Sequence, residues 1–340
     1  MARKTKQNKI TSPELLEKVN PENKRLLEDF LIYLKSIQRS ENTIPGYKND
    51  LEIFFVWNLK NNNNKSFVKI TKRDIIAYQN WLLTHNENSP ARVRRLKSTL
   101  SSMSNFIENV LDDEYEGFRP IIRKVENPAK QATRKKTVLS ESQVDFLLNK
   151  LVEDKQYEKA CCFALASFSG RRKSELLRFR VSYFTDENII YGSLYKSPEE
   201  MKTKGRGLGK YIPVYVLAKK FKPYFDLWMK ERKEIGIESD WLFPSEENPQ
   251  EQVNKDRLNS WALTFSRLLN VDFYWHSMRH YFTTQLCRSG LPDSVIVSIM
   301  GWDSPSMISI YRDIPADEEF GKYFDENGIK TVEKTKLSDL

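Results

Sequence analysis

Five residues in the C-terminal half of this 340-residue chain have the side chains that an attack on a phosphodiester needs: Arg172, Lys204, His276, Arg279 and Tyr311. They lie in GRRKSEL (Gly170–Leu176), KTKGRGLGKYIPV (Lys202–Val214), HSMRHYFTTQL (His276–Leu286) and MGWDSPSMISIY (Met300–Tyr311). A guanidinium is a planar fork that donates two parallel hydrogen bonds to phosphate oxygens. His276 and Arg279 stand three apart, which on a helix points both at one spot. A lysine among other cations gives up its proton more readily and can serve as an acid near neutral pH. A phenol, with an ordinary pKa near ~10, needs neighbouring cations or a base before it becomes a nucleophile. Each residue also has a plain reading: Arg171–Lys173 as a surface cluster, the lysine as a solvated turn residue, Tyr311 as core.

These residues must be held by the elements around them. Asn23–Ser36 has a helical apolar period in Leu26, Leu27, Phe30, Leu31 and Leu34. A second helix carries Tyr47, Leu51, Phe54, Phe55 and Val56, with Ser40 or Asn42 as cap and Pro45 in its first turn. Thr71 caps a helix to Thr84, and Ser89 with Pro90 opens one to Leu111. That last helix carries Arg92, Arg94, Arg95 and Lys97, with residues 92, 95 and 99 on one face and Val93, Leu96, Leu100, Met103 and Ile107 on another. A basic face opposite an apolar one suits a helix lying on DNA or, equally, a solvated surface. Downstream, Ser140 and Gln143 resemble a capping box, and Lys159–Ser169 reads as a buried helix. Strands are expected at Asn188–Ser193 and Tyr211–Leu217, either side of a Lys/Gly-rich turn. Helices follow at Lys219–Glu234, Lys255–Leu269, His276–Leu286 and Ser294–Met300. The fold class is therefore mainly α, in two domains, with a small antiparallel sheet in the second.

Charge separates the two domains. Residues 1–136 carry 26 Lys/Arg against 16 Asp/Glu, whereas residues 137–340 carry 29 against 30. A polyanionic partner is the natural reading of the first segment, since each cation placed on a phosphate releases condensed counterions. The segment RKVENPAKQATRKK, which includes Arg134, Lys135 and Lys136, reads as a basic linker. Mean hydropathy is −0.61, but 19 Phe, 15 Tyr and 7 Trp supply core material. No apolar run approaches the roughly 20 residues of a membrane span, and the N-terminus has no signal-peptide pattern. Three cysteines make neither a disulfide framework nor a metal motif. A cytoplasmic, nucleoid-associated protein is expected.

The same residues resemble the tyrosine recombinase, or phage integrase, family. GRRKSEL matches the family's Gly-x-Arg-x-Ser-Glu-Leu and selects Arg172, with Arg171 and Lys173 where the family usually has apolar residues. HSMRHYFTTQL matches His-x-Leu-Arg-His-x-Phe-x-Thr-x-Leu. Trp302 stands where the family most often has histidine, and Tyr311 follows in the family's register. The resemblance implies a SAM-like α-helical core-binding domain (23–122) after a flexible basic arm (1–22). A linker (123–137), a catalytic domain (138–319) and a tail (320–340) exchanged with a neighbouring protomer would follow. It implies Tyr311 as nucleophile, Arg172 and Arg279 on the phosphate, His276 as donor or proton acceptor, and Lys204 as acid for the leaving oxygen, with Lys202 and Lys210 as rivals. Glu175 and His280 would support the site, and Trp302 would either bond a phosphate oxygen or pack. It further implies cleavage of double-stranded DNA sites through a 3′-phosphotyrosine and a Holliday junction, a homo-tetramer on DNA, an accessory DNA-bending protein in some systems, and no metal or other cofactor. Phe320, Tyr323 and Phe324 would anchor the tail. A type IB topoisomerase-like relaxase and a decayed DNA-binding protein are the alternatives.

Overall fold

The computed structural model describes residues 10–41, 43–129, 137–203, 209–312, 314, 320, 324–325 and 328–329. They divide into two compact units, on either side of the 130–136 segment.

The N-terminal unit is all helical: α1 (Pro13–Glu17), α2 (Pro21–Ser36), α3 (Ile44–Asn61), α4 (Lys72–Thr84) and α5 (Pro90–Val110). Local caps define its boundaries. Thr71 and Asp74 form a reciprocal capping box, and the Ser89 hydroxyl accepts from the Arg92 amide ahead of Pro90. The core joins Leu26, Phe30, Phe54, Trp57, Tyr78, Leu100 and Phe106. Two expectations change. Thr43, not Ser40, is the residue before α3, and it makes no side-chain cap; Asn42 lies outside the described residues. The expected flexible arm is folded from residue 12 onward: the Ser12 hydroxyl caps α1, Val19 is buried, and Asn20 donates two hydrogen bonds to Asn64, from its amide to Oδ1 and from Nδ2 to the carbonyl.

The C-terminal unit is built around α7 (Tyr157–Ser169), buried continuously from Ala160 to Ser169. Packed on it are α6 (Glu141–Glu153), α9 (Ala218–Glu234) and α11 (His276–Arg288). The remaining helices are α8 (Lys173–Leu176), α10 (Lys255–Leu269), α12 (Asp293–Met300) and α13 (Ile308–Tyr311). The sheet differs from the expected pair of strands. Tyr191 and Gly192 have positive φ (52° and 66°), so the first expected strand turns after β1 (Ile189–Ile190) into β2 (Leu194–Lys196). Proline cannot donate to a strand ladder, and Pro213 splits the second into β4 (Lys210–Ile212) and β5 (Tyr215–Leu217). The result is a β1-β2-β5 antiparallel sheet and a separate hairpin of β3 (Met201–Thr203) with β4, in which Thr203 faces Lys210. A short pair, β6 (Phe324–Asp325) and β7 (Gly328–Ile329), lies in the C-terminal segment.

Candidate active site

Three chain reversals in the C-terminal unit bring the chemistry together. The first ends α7. Gly170 takes φ 59°, and a Cβ there would lie 2.6 Å from the Phe282 ring, so the turn needs glycine. Arg172 is the N-cap of α8, and Glu175 bonds back to it: the Arg172 amide donates to Oε2 at 3.0 Å and its Nη1 to Oε1 at 2.7 Å. Glu175 is buried. Burial raises its pKa, but Arg172 more than reverses this and holds the carboxyl below its usual value. The Arg172 side chain as a whole stays about one-third exposed, so it is held by Glu175 without being buried.

The second reversal is the start of α11. His276 lies at the solvent edge, while Arg279, one turn on, is fully buried. Arg279 donates to the Gly170 carbonyl at 2.9 Å and the Met300 carbonyl at 3.2 Å. These are the ends of α7 and α12, where carbonyls lack intrahelical partners and the helix dipole is negative. That environment lets a guanidinium be buried, although burial and Arg172 together push its pKa down to about 10. It remains charged at neutral pH.

The third reversal follows α12. Gly301 takes φ 65°, and a Cβ there would fall 2.1 Å from Ile212. Trp302 then stacks on Tyr311, centroids 5.1 Å apart and planes 25° apart. Its indole Nε1 is buried with no hydrogen-bond partner among the described residues. Tyr311 is 6% exposed. Its hydroxyl lies 3.1 Å from His276 Nε2, its ring lies 4.6 Å from that of His280, and the Arg279 guanidinium sits 5.6 Å from its centroid. The Thr284 hydroxyl donates to the Tyr311 carbonyl at 3.2 Å. Desolvation, Arg279 and Arg172 push the His276 pKa below its ordinary value. The imidazole is therefore neutral near pH 7 and able to accept a proton.

The structure thus brings Arg172, Glu175, His276, Arg279, His280, Trp302 and Tyr311 into one cluster. Lys204 lies outside the described residues. Of its rivals, Lys202 is exposed on β3, and Lys210 donates to the Gly301 carbonyl at 3.2 Å and pairs with Asp303. Thr284 and Arg171 were not expected in the cluster's support. Thr284 could have been read from the spacing 276, 280, 284, which is one helical face. A separate cavity of about 450 Å³, lined among others by Glu158, Trp228, Glu246 and Arg257, contains none of the cluster residues.

The basic residues expected to bind DNA behave differently. Arg92 (2.8 Å) and Arg95 (3.3 Å) both pair with the buried carboxylate of Asp50. Arg94 Nη1 donates to the Pro128 carbonyl at 2.9 Å. Lys97 is a correction: it is 3% exposed and donates to Gln79 Oε1 and to the carbonyls of Val125 and Glu126. Here it is a buried tie, not an exposed cation. Arg134, Lys135 and Lys136 lie outside the described residues. In the tail, Phe320 is 60% exposed, whereas Tyr323 and the side chain of Phe324 lie outside the described residues.

Comparison with known proteins gives the family and the fold. Residues 137–318 match the model of the phage integrase family, and residues 26–117 that of the phage integrase N-terminal SAM-like domain. The chain is 28% identical over 249 residues to the SPbeta prophage-derived recombinase-like protein YomM of Bacillus subtilis (72% of this chain, 71% of the relative). It is 25% identical over 307 residues to a tyrosine recombinase of Thermosipho africanus (87% and 97%). Its fold resembles that of the XerH site-specific recombinase bound to palindromic difH substrate in a post-cleavage complex, with TM-score 0.64, 16% identity, and 92% and 99% of the two chains covered.

Proposed function

This chain belongs to the phage integrase family and is a tyrosine-type site-specific DNA recombinase, and we propose that it cuts and rejoins DNA with Tyr311 as nucleophile. The observation that carries this assignment is the Tyr311 hydroxyl 3.1 Å from His276 Nε2, inside a cluster of arginines. The phenol oxygen attacks phosphorus as its proton passes to the neutral His276. The bond from phosphorus to the 5′ oxygen breaks, and a 3′-phosphotyrosine forms. Arg172 and Arg279 hold the non-bridging oxygens and stabilise the charge that develops on them. The unpartnered Trp302 Nε1 is a donor suited to one of those oxygens; indole has no basic lone pair and moves no proton. Lys204 protonates the departing 5′ oxygen. Rejoining is the reverse, with a 5′ hydroxyl as nucleophile, so the bond energy is conserved and no cofactor is called for.

The substrate is a pair of double-stranded DNA sites, and the likeness to a prophage-derived relative supports integration or excision of a mobile element. We assign the chemistry to a homo-tetramer on DNA, with the 320–340 segment reaching a neighbouring protomer. A cytoplasmic, nucleoid-associated location follows from that substrate; no helix among the described residues is long and apolar enough to cross a membrane. The 23–122 unit and the 123–137 linker are assigned to duplex binding.

The test uses nicked suicide duplexes carrying the ends of the element, with wild type and Tyr311→Phe side by side. Wild type is expected to form a covalent protein–DNA adduct, and Tyr311→Phe to protect the same site without one. An adduct of equal yield in Tyr311→Phe would remove Tyr311 from its role. Protection without an adduct in the wild type would leave a DNA-binding protein that does not cut.

A further inference from the structure

The turn that presents Arg172 carries a second arginine to which the cleavage scheme gives no task. Arg171 is fully buried. Its Nη2 donates to the Ile299 carbonyl, its Nε lies 3.4 Å from the Ser169 carbonyl, and its Nη1 has no partner among the described residues. Glu175, Arg279 and Arg172 all act on its charge. Burial pushes its pKa down to about 10, which still leaves it charged at neutral pH. A buried charge is a poor way to fill space, since apolar side chains of similar volume generally pack as well or better. What this charge does is hold one particular carbonyl.

Ile299 and Met300 are the last residues of α12, whose terminal carbonyls have no partner within the helix. Arg171 takes the Ile299 carbonyl and Arg279 the Met300 carbonyl. The chain then turns at Gly301 and lays Trp302 against Tyr311. Arg171 therefore joins the backbone that presents Arg172 to the backbone that leads to Tyr311, a link that Arg279 makes beside it through the Gly170 and Met300 carbonyls. Resting on the recombinase reading above, we propose that Arg171 is a positioning residue for DNA cleavage: it fixes the end of α12, and through it Trp302 and Tyr311, against the Arg172 turn. Arg171 itself touches neither the phosphate nor the nucleophile. Misplacing a reacting group by about 1 Å costs on the order of 10²-fold in rate, and that is the size of effect a lost clamp should produce.

The experiment compares wild type, Arg171→Leu and Arg171→Lys on a nicked suicide duplex. It measures melting temperature, affinity for the site and the single-turnover rate of adduct formation. Arg171→Leu is expected to bind the site as wild type does and to form adduct about 10²-fold more slowly. Arg171→Lys, which keeps the charge and one donor for Ile299, should recover about tenfold of that loss. A purely structural residue would instead lower melting temperature and affinity together and show no recovery with lysine. Wild-type adduct rates in Arg171→Leu would overturn the proposal. If Arg171→Leu does not fold, Arg171→Lys decides: slower cleavage at unchanged affinity supports positioning, while unchanged cleavage, or failure to fold, overturns it. A wild-type protein that forms no adduct would instead count against the recombinase assignment, so the two failures are distinguishable.

Discussion

In the N-terminal unit one buried carboxylate, Asp50, pairs with Arg92 and Arg95, and Lys97 is tied to three oxygen acceptors. In the C-terminal unit one buried carboxylate, Glu175, serves Arg172 and acts on Arg171 and Arg279 as well. Each cluster sets three cations against one carboxylate, so the two keep the same formal positive excess; in the first, Arg92 and Arg95 share Asp50 and Lys97 is occupied by neutral oxygens. The second keeps excess positive charge around Tyr311, although residues 137–340 carry nearly equal numbers of cations and anions. Segment charge therefore predicts attraction to DNA, while the groups gathered around a local excess decide where a phosphate can be gripped. The C-terminal arrangement is also the more demanding, because Arg171 and Arg279 are buried on helix-end carbonyls and cannot rearrange at little cost.

The largest test of this contrast replaces the two arginines proposed to hold the phosphate. Arg172→Lys and Arg279→Lys keep the charge and lose the planar fork. Each is expected to slow adduct formation by about 10²–10³-fold, the usual cost of a lost transition-state donor, with site affinity little changed. Losses confined to affinity would make these arginines simple docking cations.

His276 sharpens the electrostatic side. Its pKa is depressed, so the neutral, proton-accepting form persists to lower pH than for a free histidine. Cleavage should fall as pH drops through a midpoint below the ordinary value of about 6.5, and His276→Gln should erase that limb while lowering the plateau about 10²-fold. A midpoint above 6.5, or an identical limb in the variant, would contradict the proton-acceptor role.

The smallest effect is expected at the Asp50 cluster. Asp50→Asn releases Arg92 and Arg95. DNA affinity should rise at low salt, and the slope of log affinity against log salt should steepen by up to about 0.9 for each arginine that reaches a phosphate. Melting temperature should fall, since Asp50 also accepts from Thr99. An unchanged salt slope would take this face of α5 off the DNA path.

What the sequence made legible was what short-range chemistry decides. The Thr71 cap, the Ser140/Gln143 box and the Ser89-Pro90 start each act within a few residues, and the helices begin where they indicate. The cluster around Tyr311 was legible because its residue types and local spacings are restrictive and resemble a family. Three features were hidden for a common reason. Asp50 meets Arg92 and Arg95 from another helix, Lys97 meets carbonyls of Val125 and Glu126, and Arg171 meets Ile299 from the far end of the domain. None of these partners is close enough in sequence to leave a local pattern. The strands failed differently: Tyr191 in a left-handed turn and Pro213 in mid-run broke segments whose apolar content alone suggested continuity.

The central claim is that one tyrosine among fifteen carries the DNA. It is tested most directly by trapping the wild-type adduct on a suicide duplex, digesting both protein and DNA, and sequencing the peptide that retains the nucleotide. The account predicts a single modified peptide with the phosphodiester on Tyr311. Modification of any other residue, on a site the protein demonstrably protects, would contradict it.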